Sequence, residues 1–495
     1  MDRSRHASAP TATRRSPSRR ARRARRARGP LVGVGVGALA TVVLSVLAAS
    51  SAPQASSGGV PTSPVELDAV AAQGVATDAE VQLTTAPWSD GAEVSWTPVL
   101  GAVGYDLFRA PGTREQVGAG PEGWVRVSSD LISQTRFRDA GLTAGKTYTY
   151  AVKARYPEVA ATAELRRPVD LPTSSVVPAD PLASFAPLLS STCPAAAAKP
   201  GTLVRTAEQL TAALAGARPG DVIRLADGTY RGPFRLSAKG TSQAPVWLCG
   251  GRGAVLENGS TSSGTALRID SASHVGVSGF TVTRALHGVF VKGSSDVVVT
   301  GLAVQDIGYE GVHVYGFSED VVVRGNRIQD TGVEDVAFGE GVYVGTSDRR
   351  WEEVTGGEPD TTRRVAVVAN TITDAGAEPI EAKMGTSDGI IQGNTLRGHQ
   401  PGSRARAWVL VTGNDWLVRG NDGSGAVNNG YMLMRQGGEW GHDNSVVGNT
   451  GAVDAPGWGV LLQNPGSPPP KGAIVGCDNY LTGATAGAYS GPCQN

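Results

Sequence analysis

A short apolar unit recurs along the second half of the chain, and it limits the possible fold more than any other feature. It has the form x-G-V-x-V-x, with clear copies at 287–292, 310–315, 340–345 and 378–383. Degenerate copies follow at 407–412, 429–434 and 458–463. Such short units cannot bury an apolar face alone, so the pattern predicts that successive units stack on one another.

A second unit lies between the copies and has the form V-x-V-x-G, followed by asparagine or an apolar residue. Examples are V-V-V-R-G-N-R-I and G-I-I-Q-G-N-T-L. Short strands with glycine and asparagine at the corners describe one turn of a solenoid. The 66 glycines and the 6% aromatic content also favour a turn-rich β protein. We therefore predict an all-β solenoid for this half of the chain.

The alternation of side chains along a strand predicts which residues point out of the solenoid. Val289, Val291 and their equivalents must point into the coil, and the residues between them must point outward. Stacking about 4.8 Å apart then arranges the outward residues in columns. One column contains Phe290, His313, Tyr343, Glu381, Leu410 and Met432. The next contains Lys292, Tyr315, Gly345, Lys383, Thr412 and Met434, and a third, at the corner, contains His287, Glu310, Glu340 and Glu378.

This outward face is the predicted functional surface. We expect Glu381 and Lys383 to lie side by side on its solvent side, within reach of His313 or Tyr343. Aromatic rings pack on sugar faces, and charged groups bind acidic or hydroxyl groups, so the face suits an extended polysaccharide. The candidate catalytic residues are Lys383, Glu381 and His313. The candidate substrate-binding residues are Lys292, Tyr315, Tyr343, Arg435 and His442, the last two on a neighbouring turn or loop.

The stacked glutamates suggest a cation. Carboxylates in adjacent turns repel one another unless a cation or a shared proton lies between them. A Ca²⁺ ion, which prefers several oxygen ligands, is therefore predicted near Glu340, Glu378 or Glu381. The alternative is that the glutamates of the corner column accept hydrogen bonds from backbone amides.

The N-terminal residues predict export. Residues 1–30 contain eleven arginines and one acidic residue, and 31–49 are apolar or small without charge. This order is typical of a signal peptide, although 19 residues can also span a bilayer as an uncleaved anchor with the basic region 1–30 in the cytoplasm. Because the formal net charge of the whole chain is zero, the residues after this basic region carry a net negative charge. Such a charge disfavours binding to nucleic acid. We expect an extracellular or cell-surface monomer that contacts the membrane only through 31–49.

The four cysteines agree with an oxidising destination. Three pairings are possible, and we favour the two local disulfides, Cys193–Cys249 and Cys477–Cys493. A zinc site is disfavoured, because the sequence contains no C-x-x-C and no histidine near these cysteines.

Two Ala/Ser/Pro-rich segments, 50–78 and 158–200, are predicted to be linkers. Between them, residues 79–157 show strand-like alternation at Tyr148, Tyr150 and Val152, with Trp96 as a core anchor, which suggests a small β-sandwich. The motifs Y-D-L-F-R and D-A-G-L-T-A-G-K-T-Y-T-Y resemble a fibronectin type III domain. That resemblance implies a spacer or adhesion module.

Residues 201–495 resemble the pectate-lyase-like superfamily of right-handed parallel β-helix proteins. The opening L-V-R-T-A-E-Q-L-T-A-A-L, in which Thr206 is placed to cap a helix, resembles that of alginate and chondroitin lyases. The resemblance implies that Lys383 removes the proton next to a uronate carboxylate, while Glu378 and Glu381 hold calcium.

Three functions remain open from the sequence. The first is a polysaccharide lyase that cleaves a uronate polymer. The second is a glycoside hydrolase, because Glu381 with Glu340 or Glu378 could flank a glycosidic bond. The third is a glycan-binding or adhesion solenoid without catalysis, since a fold does not determine a function.

Overall fold

The computed structural model describes residues 81–494, apart from 89–90, 100–101, 118–122, 128–130, 157–172, 177, 179 and 464–466. The predicted basic region 1–30, the export or anchor segment 31–49 and the spacer 50–78 lie outside the described residues. Within the described part, no helix combines the length and the apolar composition that crossing a bilayer requires.

The strands between residues 83 and 176 form two antiparallel sheets around one apolar core. In spatial order, the strands are Leu83–Trp88, Gly91–Trp96 and Arg136–Asp139 in one sheet, and Val125–Arg126, Gly104–Pro111, Tyr148–Arg155 and Thr173–Val176 in the other. A one-turn helix occupies Arg114–Val117. Trp96, Tyr150 and Val152 are buried in the shared core as predicted, and Tyr148 packs against it partly buried. The predicted half-buried alternation is wrong for this strand, because Thr149 and Ala151 are buried as well. The strand Thr173–Val176 lies beyond residue 157, inside the predicted linker, and the assignment to the fibronectin type III class remains a prediction.

The remaining strands form a parallel solenoid with three faces, which confirms the predicted β-helix. Face 1 consists of Thr202–Val204, Val222–Leu225, Val246–Cys249, Ser273–Ser278, Ser295–Thr300, Glu319–Arg324, Arg363–Val368, Ile390–Gln392, Leu417–Arg419, Ser445–Val447 and Ile474–Val475. Face 2 consists of Gly228–Arg231, Ala254–Glu257, Thr281–Ala285, Ala303–Ile307, Arg327–Thr331, Thr371–Ala375, Thr395–His399, Asp422–Ser424, Thr450–Ala455 and Tyr480–Ala484. Face 3 consists of Phe234–Leu236, Thr265–Asp270, His287–Lys292, Val312–Tyr315, Val342–Val344, Ile380–Ala382, Ala407–Val411, Asn429–Leu433, Trp458–Leu462 and Gly487–Tyr489.

One continuous apolar core fills the coil. The inward residues predicted from the repeat are all completely buried in it; they are Val289, Val291, Val312, Val314, Val342, Val344, Ile380 and Ala382. Each of these strands pairs in register with the next, so that Val312 lies beside Val342 and Val342 beside Ile380. The register of face 3 is therefore the one that the repeat predicts.

Buried asparagines stack at the corner between faces 1 and 2. They are Asn326, Asn370, Asn394, Asn421, Asn449 and Asn479. Each of the first five donates its side-chain amide to the side-chain oxygen of the next, at 2.9–3.0 Å. This ladder explains the recurring G-N pair, because the residue before each of the first five asparagines has a positive φ, as at Gly393 (66°) and Gly420 (58°).

Both ends of the solenoid are fastened. The helix Ala207–Ala215 packs Leu210 and Leu214 on the first turns, and Thr206 caps it by accepting a hydrogen bond from the Gln209 amide at 3.2 Å. Cys193–Cys249 and Cys477–Cys493 are disulfide-bonded, as predicted.

Part of the predicted linker 158–200 packs on the solenoid. The 3₁₀ helix Ala183–Phe185 and the helix Ala186–Ser190 lie against the outer side of face 1, where Phe185 shares an apolar cluster with Val322 and Ala366. Three further short helical segments, Val336–Phe338, Asp348–Arg350 and Trp351–Val354, lie in the two long loops on either side of the face 3 strand Val342–Val344.

Candidate functional site

The outward side chains of face 3 form the predicted column. Strand pairing places Phe290 beside His313, His313 beside Tyr343, and Tyr343 beside Glu381. Leu410 and Met432 continue the same line. The column also extends toward the N-terminus, through Arg235 and Arg268.

The predicted solvent exposure of this face is wrong. Glu381, His313 and Tyr343 point away from the coil, yet they are only 3%, 7% and 8% exposed. Adjacent turns are separated by about 4.8 Å, so large outward side chains cover one another. The face is consequently a packed polar layer rather than a set of solvated side chains.

Lys383 and Glu381 form the centre of this layer. The Lys383 Nζ lies 2.6 Å from Glu381 Oε1, which confirms that the two side chains lie together. The same ammonium group lies 5.7 Å from the centre of the Tyr343 ring. The stretch E-P-I-E-A-K therefore places a half-buried ion pair beside a phenol.

Three glutamates converge next to this ion pair. One carboxylate oxygen from each of Glu340, Glu378 and Glu381 lies within 4.8 Å of the others. Glu378 also accepts a hydrogen bond from the Arg406 backbone amide at 3.0 Å. Both sequence-based expectations therefore apply at Glu378, which bonds a backbone amide and still belongs to a carboxylate cluster.

Burial and mutual repulsion favour the protonated forms of this cluster. Burial, together with the charge of Glu381, raises the pKa of Glu378 to about 7. The same causes raise the pKa of Glu340 well above its usual range. Burial opposes the charge on Lys383, but the attraction of Glu381 outweighs it and raises the pKa of Lys383. Ionisation of all three glutamates would therefore create more negative charge than Lys383 alone compensates.

His313 is held in one orientation among the aromatic rings. Its Nε2 lies 2.8 Å from the Gly345 carbonyl oxygen, to which it donates a hydrogen bond, and its Nδ1 has no hydrogen-bond partner. Its ring stacks on Tyr315 at 4.1 Å and lies 4.5 Å from Tyr343. Burial lowers the pKa of His313, so the imidazole is neutral at pH 7.

A hydrogen-bonded pair lies at the corner, where the glutamate column continues. His287 Nδ1 is 2.7 Å from Glu310 Oε2. Burial opposes ionisation of Glu310, but the bond from His287 outweighs it and lowers the pKa of Glu310. The pKa of this carboxylate is therefore lowered by a hydrogen bond, whereas those of Glu340 and Glu378 are raised.

The structure does not bring all predicted residues to the cluster. Lys292 and Tyr315 lie on the face, with the Lys292 Nζ 5.6 Å from the Tyr315 ring centre. Arg435 follows the strand Asn429–Leu433, two turns after Lys383, and its guanidinium bonds the Gly438 carbonyl oxygen. His442 lies at another corner, where it bonds Asp443 at 2.8 Å.

Sequence reasoning missed several residues on the same face. Arg235 and Arg268 extend the outward column, and Tyr309 and Phe338 lie at its edge, with their ring centres 5.0 Å apart. The strand Thr265–Asp270 lacks the Gly-Val pair of the repeat, so the repeat search did not identify Arg268. The alternation of Leu267, Arg268 and Ile269 was the available signal.

Comparison with known proteins gives matches only among solved structures. No protein-family model matches the chain, and no curated protein matches it either. An alginate lyase from a Paenibacillus species is 29% identical with a TM-score of 0.53, and the match covers 58% of this chain and 97% of that enzyme. A mannuronic-acid-specific family 6 lyase from human gut microbiota is 15% identical with a TM-score of 0.41, covering 58% of this chain and 66% of that one. A pectate lyase from a Paenibacillus species is 8% identical with a TM-score of 0.37, covering 53% and 80%.

The alginate lyase match covers nearly the whole of that enzyme, so this chain shares the β-solenoid fold of a polysaccharide lyase.

The raised pKa of Glu378 predicts how stability depends on pH. Its folded-state value of about 7 exceeds the usual 4.5, so the stability it contributes is present below pH 4.5 and is lost as the pH rises through about 7. In a buffer with chelator, the free energy of unfolding of the unmodified protein should fall by about 3 kcal/mol over this range because of Glu378. We expect Glu378→Gln to abolish this fall. Denaturant titrations of both proteins from pH 4.5 to pH 8 measure it. Parallel profiles would contradict the prediction, and Glu353→Gln, a change at an exposed carboxylate, is the control.

Proposed function

We propose that this protein is an exported polysaccharide lyase that cleaves a uronate polymer by β-elimination. The observation that carries the proposal is the ion pair of Lys383 and Glu381 beside Tyr343 and two further glutamates, on one face of the solenoid. The likeness to an alginate lyase supports it and makes alginate the first substrate to test. The two disulfides support export, because they persist in oxidising compartments.

β-Elimination requires a base next to the uronate carboxylate and an acid at the leaving oxygen. In our proposal, the neutral amine form of Lys383 removes the proton from the carbon next to the carboxylate and becomes the ammonium that pairs with Glu381. The electron pair forms a carbon–carbon double bond, and the glycosidic carbon–oxygen bond breaks. Burial and the charge of Glu381 raise the pKa of Tyr343 well above its usual range, so its hydroxyl stays protonated and donates to the leaving oxygen.

The other residues of the face orient this pair. Glu381 fixes the position of Lys383 through the 2.6 Å contact. His313 packs on Tyr343 and is itself fixed by the Gly345 carbonyl, so we assign it a positioning role rather than proton transfer. This revises the expectation that His313 acts directly.

The glutamate cluster fits a calcium ion. Its three carboxylates supply the hard oxygen ligands that Ca²⁺ prefers, and burial together with mutual repulsion raises the pKa values of Glu340 and Glu378 when no cation lies between them. A bound Ca²⁺ would neutralise the substrate carboxylate. With the glutamate charges compensated, Lys383 would lose the attraction that raises its pKa and would reach its basic form more easily.

One observation favours a second candidate, a glycoside hydrolase. The carboxylates of Glu340, Glu378 and Glu381 lie close together, and the raised pKa of Glu340 suits a general acid. Retaining glycosidases hold their two carboxyl groups about 5 Å apart. In that case Glu381 would be the nucleophile.

A single assay separates these functions. We expect purified protein to generate the ultraviolet absorbance of an unsaturated uronate from alginate, with polygalacturonate and chondroitin tested in parallel and a neutral glucan as control. A chelator should reduce the rate, and added Ca²⁺ should restore it. New reducing ends without absorbance would indicate a hydrolase, and neither product, with binding retained, would indicate a glycan-binding solenoid.

A further inference from the structure

We propose that Arg268 and Lys292 form a binding site for the carboxylates of an acidic polysaccharide, and that the bound polymer extends from Lys383 toward the N-terminal end of face 3. The inference rests on the proposed function only for the class of polymer. It assigns a direction along the solenoid and two cationic contacts, one of which, Arg268, has no role in the chemistry proposed above.

These two cations lack carboxylate partners. Among the described residues, neither Arg268 nor Lys292 forms an ion pair, whereas neighbouring arginines do. Arg235 lies 3.1 Å from Asp270, and Arg231 lies 2.9 Å from Glu257. Arg268 and Lys292 are instead held over aromatic rings, Arg268 at 5.7 Å from the Phe290 ring centre and Lys292 at 5.6 Å from that of Tyr315. Two positioned, partly exposed cations without internal counter-ions suit an anionic ligand.

Their position is continuous with the proposed catalytic cluster. Arg268, Phe290, His313, Tyr343 and Glu381 lie on successive turns of the same column. Four steps of about 4.8 Å separate Arg268 from Glu381, or about 19 Å in all. An extended chain bound along this line would meet both cations and still reach Lys383.

Exposed aromatic rings border this part of the face on both edges. Phe338 is 48% exposed at the edge before the strand Val342–Val344, where it packs on Tyr309. Phe317, also 48% exposed, follows the strand Val312–Tyr315 at the opposite edge. Exposed aromatic rings supply apolar area for sugar faces, so both edges are suited to flank a bound glycan.

The other end of face 3 is unsuited to carboxylates. After Glu381 the outward column continues with Leu410, Met432 and Leu461, which form a buried apolar cluster with Met434. Trp458 packs against this cluster. A uronate carboxylate placed on this column would lose its hydration without a charged partner from the column itself. The polymer is therefore expected on the N-terminal side of Lys383.

The test is a binding measurement that does not depend on turnover. Calorimetric titration of the Lys383→Gln protein uses an alginate oligosaccharide as the anionic probe and a cello-oligosaccharide of equal length as the neutral probe. We expect Arg268→Gln and Lys292→Gln each to weaken binding of the anionic probe roughly tenfold. Added salt should weaken probe binding by the Lys383→Gln parent more than binding by the double variant, which adds both Arg268→Gln and Lys292→Gln to that parent. Phe338→Ala should weaken it roughly two- to tenfold.

Controls separate charge from folding. Arg327→Gln removes an exposed arginine from face 2 and should leave the dissociation constant unchanged. Arg268→Lys keeps the charge and should retain most of the affinity, which shows that loss in Arg268→Gln does not reflect misfolding. Thermal melting of each variant completes the comparison.

The outcomes distinguish this inference from the proposed function. If no lyase activity is found but the arginine and lysine variants bind as expected, the proposed function fails and the inference stands. If the double variant binds the alginate oligosaccharide as tightly as its parent, the inference is overturned even where lyase activity is present. A parent that fails to bind this probe, or that binds the neutral probe equally well, overturns it too.

Discussion

Lys383→Gln is expected to lower kcat on the cleaved polymer by roughly 10²- to 10⁴-fold, the range that a general base contributes. The structural reason is that Lys383 places an amine beside Tyr343 and is fixed by Glu381 at 2.6 Å. Initial rates of unsaturated uronate formation measure the loss. A variant with more than a tenth of the parent activity would contradict the assignment of Lys383.

Stability provides the control for this experiment. Lys383→Gln leaves Glu381, which is 3% exposed, without its counter-ion, and we expect a loss of about 3 kcal/mol in the free energy of unfolding. The double variant Glu381→Gln/Lys383→Gln removes both charges and should recover most of that stability while staying inactive. Recovery of activity together with stability would show that Lys383 is only structural. Lys471→Gln, a change at an exposed lysine, should alter neither quantity.

The register of face 3 could be predicted because a one-residue shift would be costly. Such a shift in the strand Ile380–Ala382 would turn Glu381 into the apolar core and Ile380 outward. The alternation therefore specifies which side chains share a face, and strand pairing confirms the pairing of Tyr343 with Glu381. The same alternation predicts that Lys383 lies beside Glu381, and the 2.6 Å contact between their charged groups confirms it.

The burial of the site could not be predicted in this way. Whether an outward glutamate meets water depends on the size of side chains in adjacent turns, which lie tens of residues away in sequence. Tyr343 and Leu410 flank Glu381 from such positions. The mutual proximity of Glu340, Glu378 and Glu381 depends on rotamers at three turns, which the repeat does not specify.

Residues outside the repeat were the least predictable. His442 lies eleven positions after Tyr431, and the sequence suggested that it binds substrate from a neighbouring turn or loop. The chain instead turns a corner after the strand Asn429–Leu433, so His442 bonds Asp443, whose other oxygen lies 2.5 Å from Arg138 of the sandwich. That contact depends on a strand 305 residues earlier in the sequence, and no local pattern encodes it.

The asparagine ladder gives the largest expected effect on stability. Asn394→Ala should lower the free energy of unfolding by at least about 3 kcal/mol, because it leaves several buried polar groups without partners. The Asn394 amide donates to the Val367 carbonyl and to Asn421 Oδ1, both at 2.9 Å. Its side-chain oxygen accepts from the Asn370 backbone and side-chain amides at 2.9 and 3.0 Å.

The matched control is Asn428→Ala, which removes an exposed asparagine of the same solenoid and should change stability by less than about 0.5 kcal/mol. Denaturant titration of both variants at one pH measures the difference. A loss below about 1 kcal/mol in Asn394→Ala would mean that water satisfies the freed groups at this corner. A full loss would instead show that the G-N pairs stabilise the stacking of turns, on which the alignment of Tyr343, Glu381 and Lys383 depends.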